Sequence, residues 1–252
     1  MFAAQGPMAL PSSFTPASLT GLIAWFKADV GITLNGSQVS AWADQSGNGN
    51  NVTQPTTGNQ PFFQATGFNG KQTVYFSTAT TSVMASGGDA VALINGTPAS
   101  CFMVGKPVAA DCSSFGNAVG FNGNGHAGAT TDGLPSGISF LERVSTGATV
   151  GGQRNSATES VITVTDSTNI RIGNICDGAN NTVYLNNVAG TPVADTNNFT
   201  SPGTLILGSV TFDGHTAQWW GGAISEIVLT NTALSSGDRT SLDNYFKAKW
   251  GL

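Results

Sequence analysis

Charge is scarce in this chain. Asp, Glu, Lys and Arg together make up 9% of the residues, against roughly 25% in ordinary soluble domains. Lys and Arg number 9 against 14 acidic residues, so the net charge is −5. No basic patch exists to displace counterions from phosphates, which argues against nucleic acid as a partner. No apolar run approaches the ~18 residues needed to span a bilayer, so no membrane span is expected. The first twenty residues, "MFAAQGPMALPSSFTPASLT", contain no Lys or Arg and no continuous apolar core. They do not read as a secretory signal. Cysteine is rare and odd in number: Cys101, Cys112 and Cys176. No pair has metal-ligand spacing. Cys101 and Cys176 lie in strand-like runs and read as small buried hydrophobes. A Cys101–Cys112 bridge stays open.

What remains is apolar and polar-uncharged sequence: 40% hydrophobic residues, with 33 Gly. That is too apolar for disorder and long enough for a sizeable core. Short apolar or alternating runs recur, such as "LIAWFKADVGITL" (22–34), "SQVSAWA" (37–43), "KQTVYFS" (71–77), "SCFMVGKPV" (100–108), "IRIGNIC" (170–176), "TLILGSV" (204–210) and "AISEIVLT" (223–230). Gly, Asn, Ser and Pro clusters separate them. Asn35-Gly36 between two such runs is a strong hairpin signal. Many short strands with such turns predict a sandwich or barrel.

One helix is expected, over 234–252. Ser235 is its N-cap, Asp238 lies near its positive end, and Gly251 suits its C-cap. Leu242, Tyr245, Phe246 and Trp250 form one apolar stripe. Residues 1–19, with Pro7, Pro11 and Pro16, read as an extended arm ahead of a single domain over 20–252. Isolated apolar residues at Phe2, Met8, Leu10 and Phe14 would let the arm lie along another subunit or a particle surface. Residues 80–100 read as a long polar loop with a small helical turn, of the kind that carries recognition.

Three stretches resemble one family. "GLIAWFKADVGI" (21–32), "VSAWADQSGNGNNVTQ" (39–54) with "QPFF" (60–63) and "TVYFS" (73–77), and "GGAISEIVLTNTALSSGDRTSLDNYFKAKWGL" (221–252) are similar to the laminin-G-like branch of the concanavalin A-like lectin/glucanase superfamily. The resemblance implies an all-β, two-sheet antiparallel jelly-roll sandwich with a short C-terminal helix. Trp25, Trp42, Phe76, Phe102, Ile172, Leu185, Leu207 and Ile227 are expected in its core. In such domains the stretch matching "DQSGNGNN" is a turn. Asp44 would accept hydrogen bonds from amides ahead of it. The alternative is a calcium ligand, against which stands the absence of any Asp-x-Asp-x-Asp-Gly pattern. No other cofactor is indicated.

Chemistry is hard to find. Glycoside cleavage needs two carboxylates at a fixed separation, and the superfamily's glucanases carry theirs as a closely spaced Glu-x-Asp-x-Glu. The only glutamates are Glu142, Glu159 and Glu226, each without a nearby acidic partner. Glu226 falls where laminin-G-like domains carry a structural glutamate. His126 and His215 sit in turn-like sequence with no nucleophile elbow. No enzyme is expected. "QWWGG" (218–222) holds the best contact candidates. In an extended run Trp219 and Trp220 face opposite ways. One should be core; the other, with His215 nearby, could meet sugar or a partner.

The reading that follows is a non-enzymatic structural or binding protein on the virion surface of a tailed phage. Both head decoration and tail association are open, with other virion proteins or copies of itself as partners. The alternative is an extracellular bacterial carbohydrate-binding lectin domain meeting a cell-surface glycan.

Overall fold

The computed structural model describes residues 14–87, 98–112, 115–123, 138–144, 149–152, 160–195, 203–210 and 218–252. Among the described residues the fold is all-β apart from one α-helix and three short 3-10 turns. The first sheet is built around β20 (Gly222–Thr230). On one side β20 pairs with β8 (Ala99–Pro107), followed by β13 (Ile170–Cys176) and β14 (Asn180–Leu185). Short strands β15 (Val188–Ala189) and β16 (Val193–Ala194) close that edge. On its other side β20 takes two partners end to end. β1 (Leu22–Lys27) runs beside Glu226–Thr230, and β6 (Lys71–Phe76) beside Gly222–Ile224. Beyond β6 lies β5 (Phe62–Phe68).

The second sheet runs β2 (Ile32–Asn35), β3 (Gln38–Trp42), β4 (Val52–Thr53), β7 (Met84–Ser86), β17 (Gly203–Leu207), β9 (Phe115–Gly123), β10 (Ile138–Val144), β11 (Thr149–Gly152), β12 (Ser160–Thr163). Strands β18 (Ser209–Val210) and β19 (Gln218–Trp219) pair with each other, and β19 meets β9 in a single parallel contact. Among the described residues all other ladders are antiparallel. One bridge, Gln38 to Phe62, links the two sheets at their edge.

Between the sheets lies the main core, including Phe26, Trp42, Val74, Phe76, Met103, Val119, Phe121, Ile172, Leu207, Trp220 and Ile227. A second apolar layer covers the outer face of the first sheet, where helix α1 (Ser236–Trp250) docks. Leu242, Phe246 and Trp250 of α1 pack on Trp25, Phe102, Val104 and Val228. This explains why "CFMV" (101–104) and "IVL" (227–229) are continuous apolar stretches rather than alternating ones. Both faces of these strands are covered, so neither face selects polar residues. All nine residues of β20 are buried.

The expected core is present. Leu185 is half-buried against it, and the other seven residues named above are buried. Trp25 and Phe102 face the helix rather than the space between the sheets. The helix begins and ends where its caps require. Ser235 Oγ accepts from the amide of Asp238 at 3.1 Å, and Gly251 takes the left-handed φ of 72°.

Three expectations need correction. The hairpin turn lies one residue later than read: Asn35 pairs with Gln38, so Gly36 and Ser37 form the loop. Only Gly36 of the two has positive φ, at 65°. The body also starts earlier than residue 20. Phe14 meets Tyr245 edge-on at 6.3 Å between ring centroids, and Leu19 is buried under the helix. Phe14 is thus part of this chain's own packing, while Phe2, Met8 and Leu10 lie outside the described residues. Lastly, of the loop expected over 80–100, residues 84–86 form β7 and 99–100 begin β8, while residues 88–97 lie outside the described residues. No disulfide joins Cys101, Cys112 or Cys176, which resolves the bridge left open between Cys101 and Cys112.

Candidate functional site

Glu226 is the buried carboxylate at the centre of the helix dock. It is fully buried, and its oxygens are saturated. The indole N–H of Trp25 donates to Oε1 at 2.6 Å and the hydroxyl of Tyr245 at 2.9 Å. The indole N–H of Trp250 donates to Oε2 at 2.7 Å, and the Lys249 ammonium sits 3.0 Å from the same oxygen. Lys249 also reaches Asp29 at 3.1 Å. Burial, then the Glu226 charge, pushes the Tyr245 hydroxyl well above its ordinary pKa. A carboxylate held this way cannot reach a substrate. It ties β1, β20 and α1 together, the structural role expected of it. Glu142 lies on β10, and its side chain is outside the described set; Glu159 lies outside the described residues.

Asp44 is equally occupied. Oδ1 accepts from the amides of Trp25 at 2.9 Å and Ser46 at 2.8 Å. Oδ2 accepts from Ser46 Oγ at 2.7 Å and the Asn50 amide at 3.0 Å. Gly47 and Gly49 supply the positive φ that the turn needs. Among the described residues no group of three His, Cys, Asp or Glu side chains could hold a metal.

Of the tryptophan pair, Trp220 is the core residue, at 1% exposure. Its expected role as a surface contact is corrected, because its ring fills the space between the sheets. Trp219 is half-buried. His215 and His126 lie outside the described residues. The glycines that follow have a packing cause. A Cβ on Gly221 would run into the Asp111 carbonyl, and one on Gly222 into that of Lys106. The chain crosses here from the second sheet to the first with the 109–112 turn pressed against it.

Just past this crossing, the outer face of the first sheet carries a groove of about 360 Å³. Its floor is one cross-strand row, Tyr75–Ala223–Lys106, on the face away from Val74 and Ile224. Ala223 is small between two long neighbours, and that creates the dip. One wall is a bulge in β5. Register is lost between Gln64 and Phe68, so Ala65, Thr66 and Gly67 bow out of the ladder.

The groove's polar atoms have defined roles. The Tyr75 hydroxyl donates to Asp111 Oδ2 at 2.8 Å, leaving its oxygen as an acceptor. Burial and then Asp111 push its pKa upward, so it stays protonated. Asp111 Oδ1 also takes Ser77 Oγ and Thr78 Oγ1, each at 3.1 Å. Gln64 Oε1 accepts from Thr73 at 3.0 Å, which leaves its NH₂ as a donor. Lys106 has no ion pair or hydrogen bond among the described residues. Reading the sequence missed this site, because its residues come from four separate strands. The one local cue was "QWWGG", which ends one residue before Ala223.

No protein-family model matches the sequence, and no curated protein matches it. Solved structures do match in fold. The sialidase of Trypanosoma rangeli in complex with the inhibitor DANA is 12% identical with a TM-score of 0.59, over 87% of this chain and 32% of that one. The chain therefore spans about a third of the sialidase. Domain 4 of an extracellular GH43 arabinanase from Geobacillus stearothermophilus, in complex with arabinotriose, is 12% identical with a TM-score of 0.56. There the overlap is 88% of this chain and 98% of that domain. The shared fold is a β-sandwich, compatible with a concanavalin A-like jelly roll. These neighbours overturn the expected virion-surface role, whether head decoration or tail association. They are sialidases and an arabinanase domain, not phage virion proteins.

Proposed function

We propose that this chain is a carbohydrate-binding β-sandwich module that acts outside the cell and holds a glycan without cleaving it. The observation that carries the reading is the near end-to-end overlap with an arabinanase domain bound to a trisaccharide. The polar groove on the first sheet supports it, since it offers an acceptor, a donor and a cation in one concave place. Binding without hydrolysis is supported by Glu226, whose carboxylate is spent on packing. The same residue supports the laminin-G-like kinship, because it stands on the last long strand and anchors the closing helix. Neither metal nor other cofactor is required in this proposal. Glycans are the proposed partners rather than nucleic acid, in keeping with the net charge of −5.

A glycan array followed by calorimetry tests this. Saturable binding to at least one oligosaccharide class is expected, with no release of shorter products on prolonged incubation. Absence of binding across the array by folded protein overturns the proposal. Product release overturns its non-catalytic half.

A further inference from the structure

We infer that the Tyr75–Ala223–Lys106 groove selects a carboxylate-bearing sugar, a uronate or sialate unit, through Lys106. The inference rests on the glycan-binding reading and adds what the site distinguishes. An ammonium carries three donors and no acceptor. In a chain this poor in cations, most other lysines are engaged. Lys249 serves Glu226 and Asp29, Lys247 serves Asp243, and Lys27 lies over the Trp25 ring at 4.1 Å. Lys106 alone lines this groove, half-buried and unpaired. Half-burial strengthens its attraction for an anion relative to a fully solvated lysine.

The neighbouring groups set the kind of anion. Asp111 lies one hydroxyl away from the groove, bonded to Tyr75. Its charge opposes a dianion such as phosphate, for which a single lysine is poor compensation. A monoanionic carboxylate matches one ammonium. The remaining sugar hydroxyls then find Tyr75 Oη as acceptor, the Gln64 NH₂ as donor, and the exposed Thr66 at the rim. The volume of about 360 Å³ lies at the low end of the ~300–1,000 Å³ typical of small-molecule sites. That suits a terminal sugar or a short segment of chain.

The test is titration calorimetry with trigalacturonate, sialyllactose and neutral arabinotriose, on the wild type and on the variants Lys106→Met, Lys106→Arg and Ala223→Leu. Thermal melts establish that each variant folds. At least one carboxylated ligand is expected to bind more tightly than arabinotriose, and more weakly as salt rises. The two carboxylated ligands separate the uronate from the sialate source. Lys106→Met should weaken that binding roughly tenfold or more, the scale of a lost charged hydrogen bond. Lys106→Arg should retain most of it. Ala223→Leu should remove it by filling the dip. Equal affinity for neutral and carboxylated ligands, or a Lys106→Met variant that binds unchanged, overturns the selection by Lys106 and leaves glycan binding standing. No binding of any oligosaccharide, here or on the array, overturns both.

Discussion

Glu226 shows how one side chain can decide a packing arrangement. Two indole N–H groups, a phenol and an ammonium converge on it, and it is fully buried. Replacing it by Gln keeps the shape but brings an NH₂ into a ring of donors, so one donor loses its acceptor. Lys249 loses its buried partner too, although it keeps Asp29 and some solvent contact. Glu226→Gln should therefore cost about 2–4 kcal/mol. Urea unfolding checks this: the midpoint should fall with the slope unchanged. Tyr245 adds a pH dependence. Its folded pKa is raised, chiefly by burial and then by Glu226. The unfolded chain releases that proton near pH ~10, while the folded chain retains it. Stability is thus fully present below about pH 10 and lost as pH rises beyond it. Tyr245→Phe should flatten the alkaline limb of the stability profile, read by denaturant melts between neutral and high pH. Asp44 gives a third test. Asp44→Ala strips the acceptor from the amides of Trp25, Ser46 and Asn50. It should cost roughly 1–3 kcal/mol. Calcium should leave the wild-type melting temperature unchanged, and a calcium-dependent rise would restore the ligand reading.

At the level of elements, what the sequence made legible was local. The caps at Ser235 and Gly251 and the stripe Leu242–Phe246–Trp250 mark the helix without reference to anything distant. Ser235→Ala should cost about 1 kcal/mol, measurable as a lower thermal midpoint with the fold retained. β8 and β20 were legible as strands because each is an apolar-rich run bounded by turn residues. Register and neighbour were not legible. The bulge that bows Ala65–Gly67 outward follows from strand pairing between β5 and β6, and Gly67 is its one local cue. Tyr75, Lys106 and Ala223 have nothing in common in sequence. They meet because β20 inserts between β6 and β8. A groove assembled this way is invisible to motif reading, which found only the Gly221-Gly222 crossing beside it. Trp220 illustrates the same limit. Alternation identified one core tryptophan of the pair, but which one depended on the sheet crossing.

For the whole molecule, the second apolar layer makes the helix indispensable. Without residues 234–252, Trp25, Phe102, Val104 and Val228 would lie open on the sheet, and Glu226 would keep only the Trp25 donor of its three neutral ones. Truncation at Ala233 should yield protein that is insoluble or binds a hydrophobic dye at neutral pH, in contrast to the intact chain. A soluble, cooperatively melting truncation product would show that the sandwich stands alone.

The position of β20 also bears on how the protein is made. It lies in the middle of its sheet, yet it is synthesised after every strand it pairs with. Until then β1, β6 and β8 each wait with an unpaired edge, and Trp25 waits for a carboxylate 201 residues downstream. A nascent chain cannot complete its sheet stepwise from the N-terminus. Ribosome-arrested chains ending before residue 222 should remain sensitive to protease throughout, and resistance should appear only once residues 222–252 have cleared the exit tunnel. A cell producing this protein must therefore keep the preceding strands from aggregating until β20 has emerged, which makes its yield depend on chaperone supply.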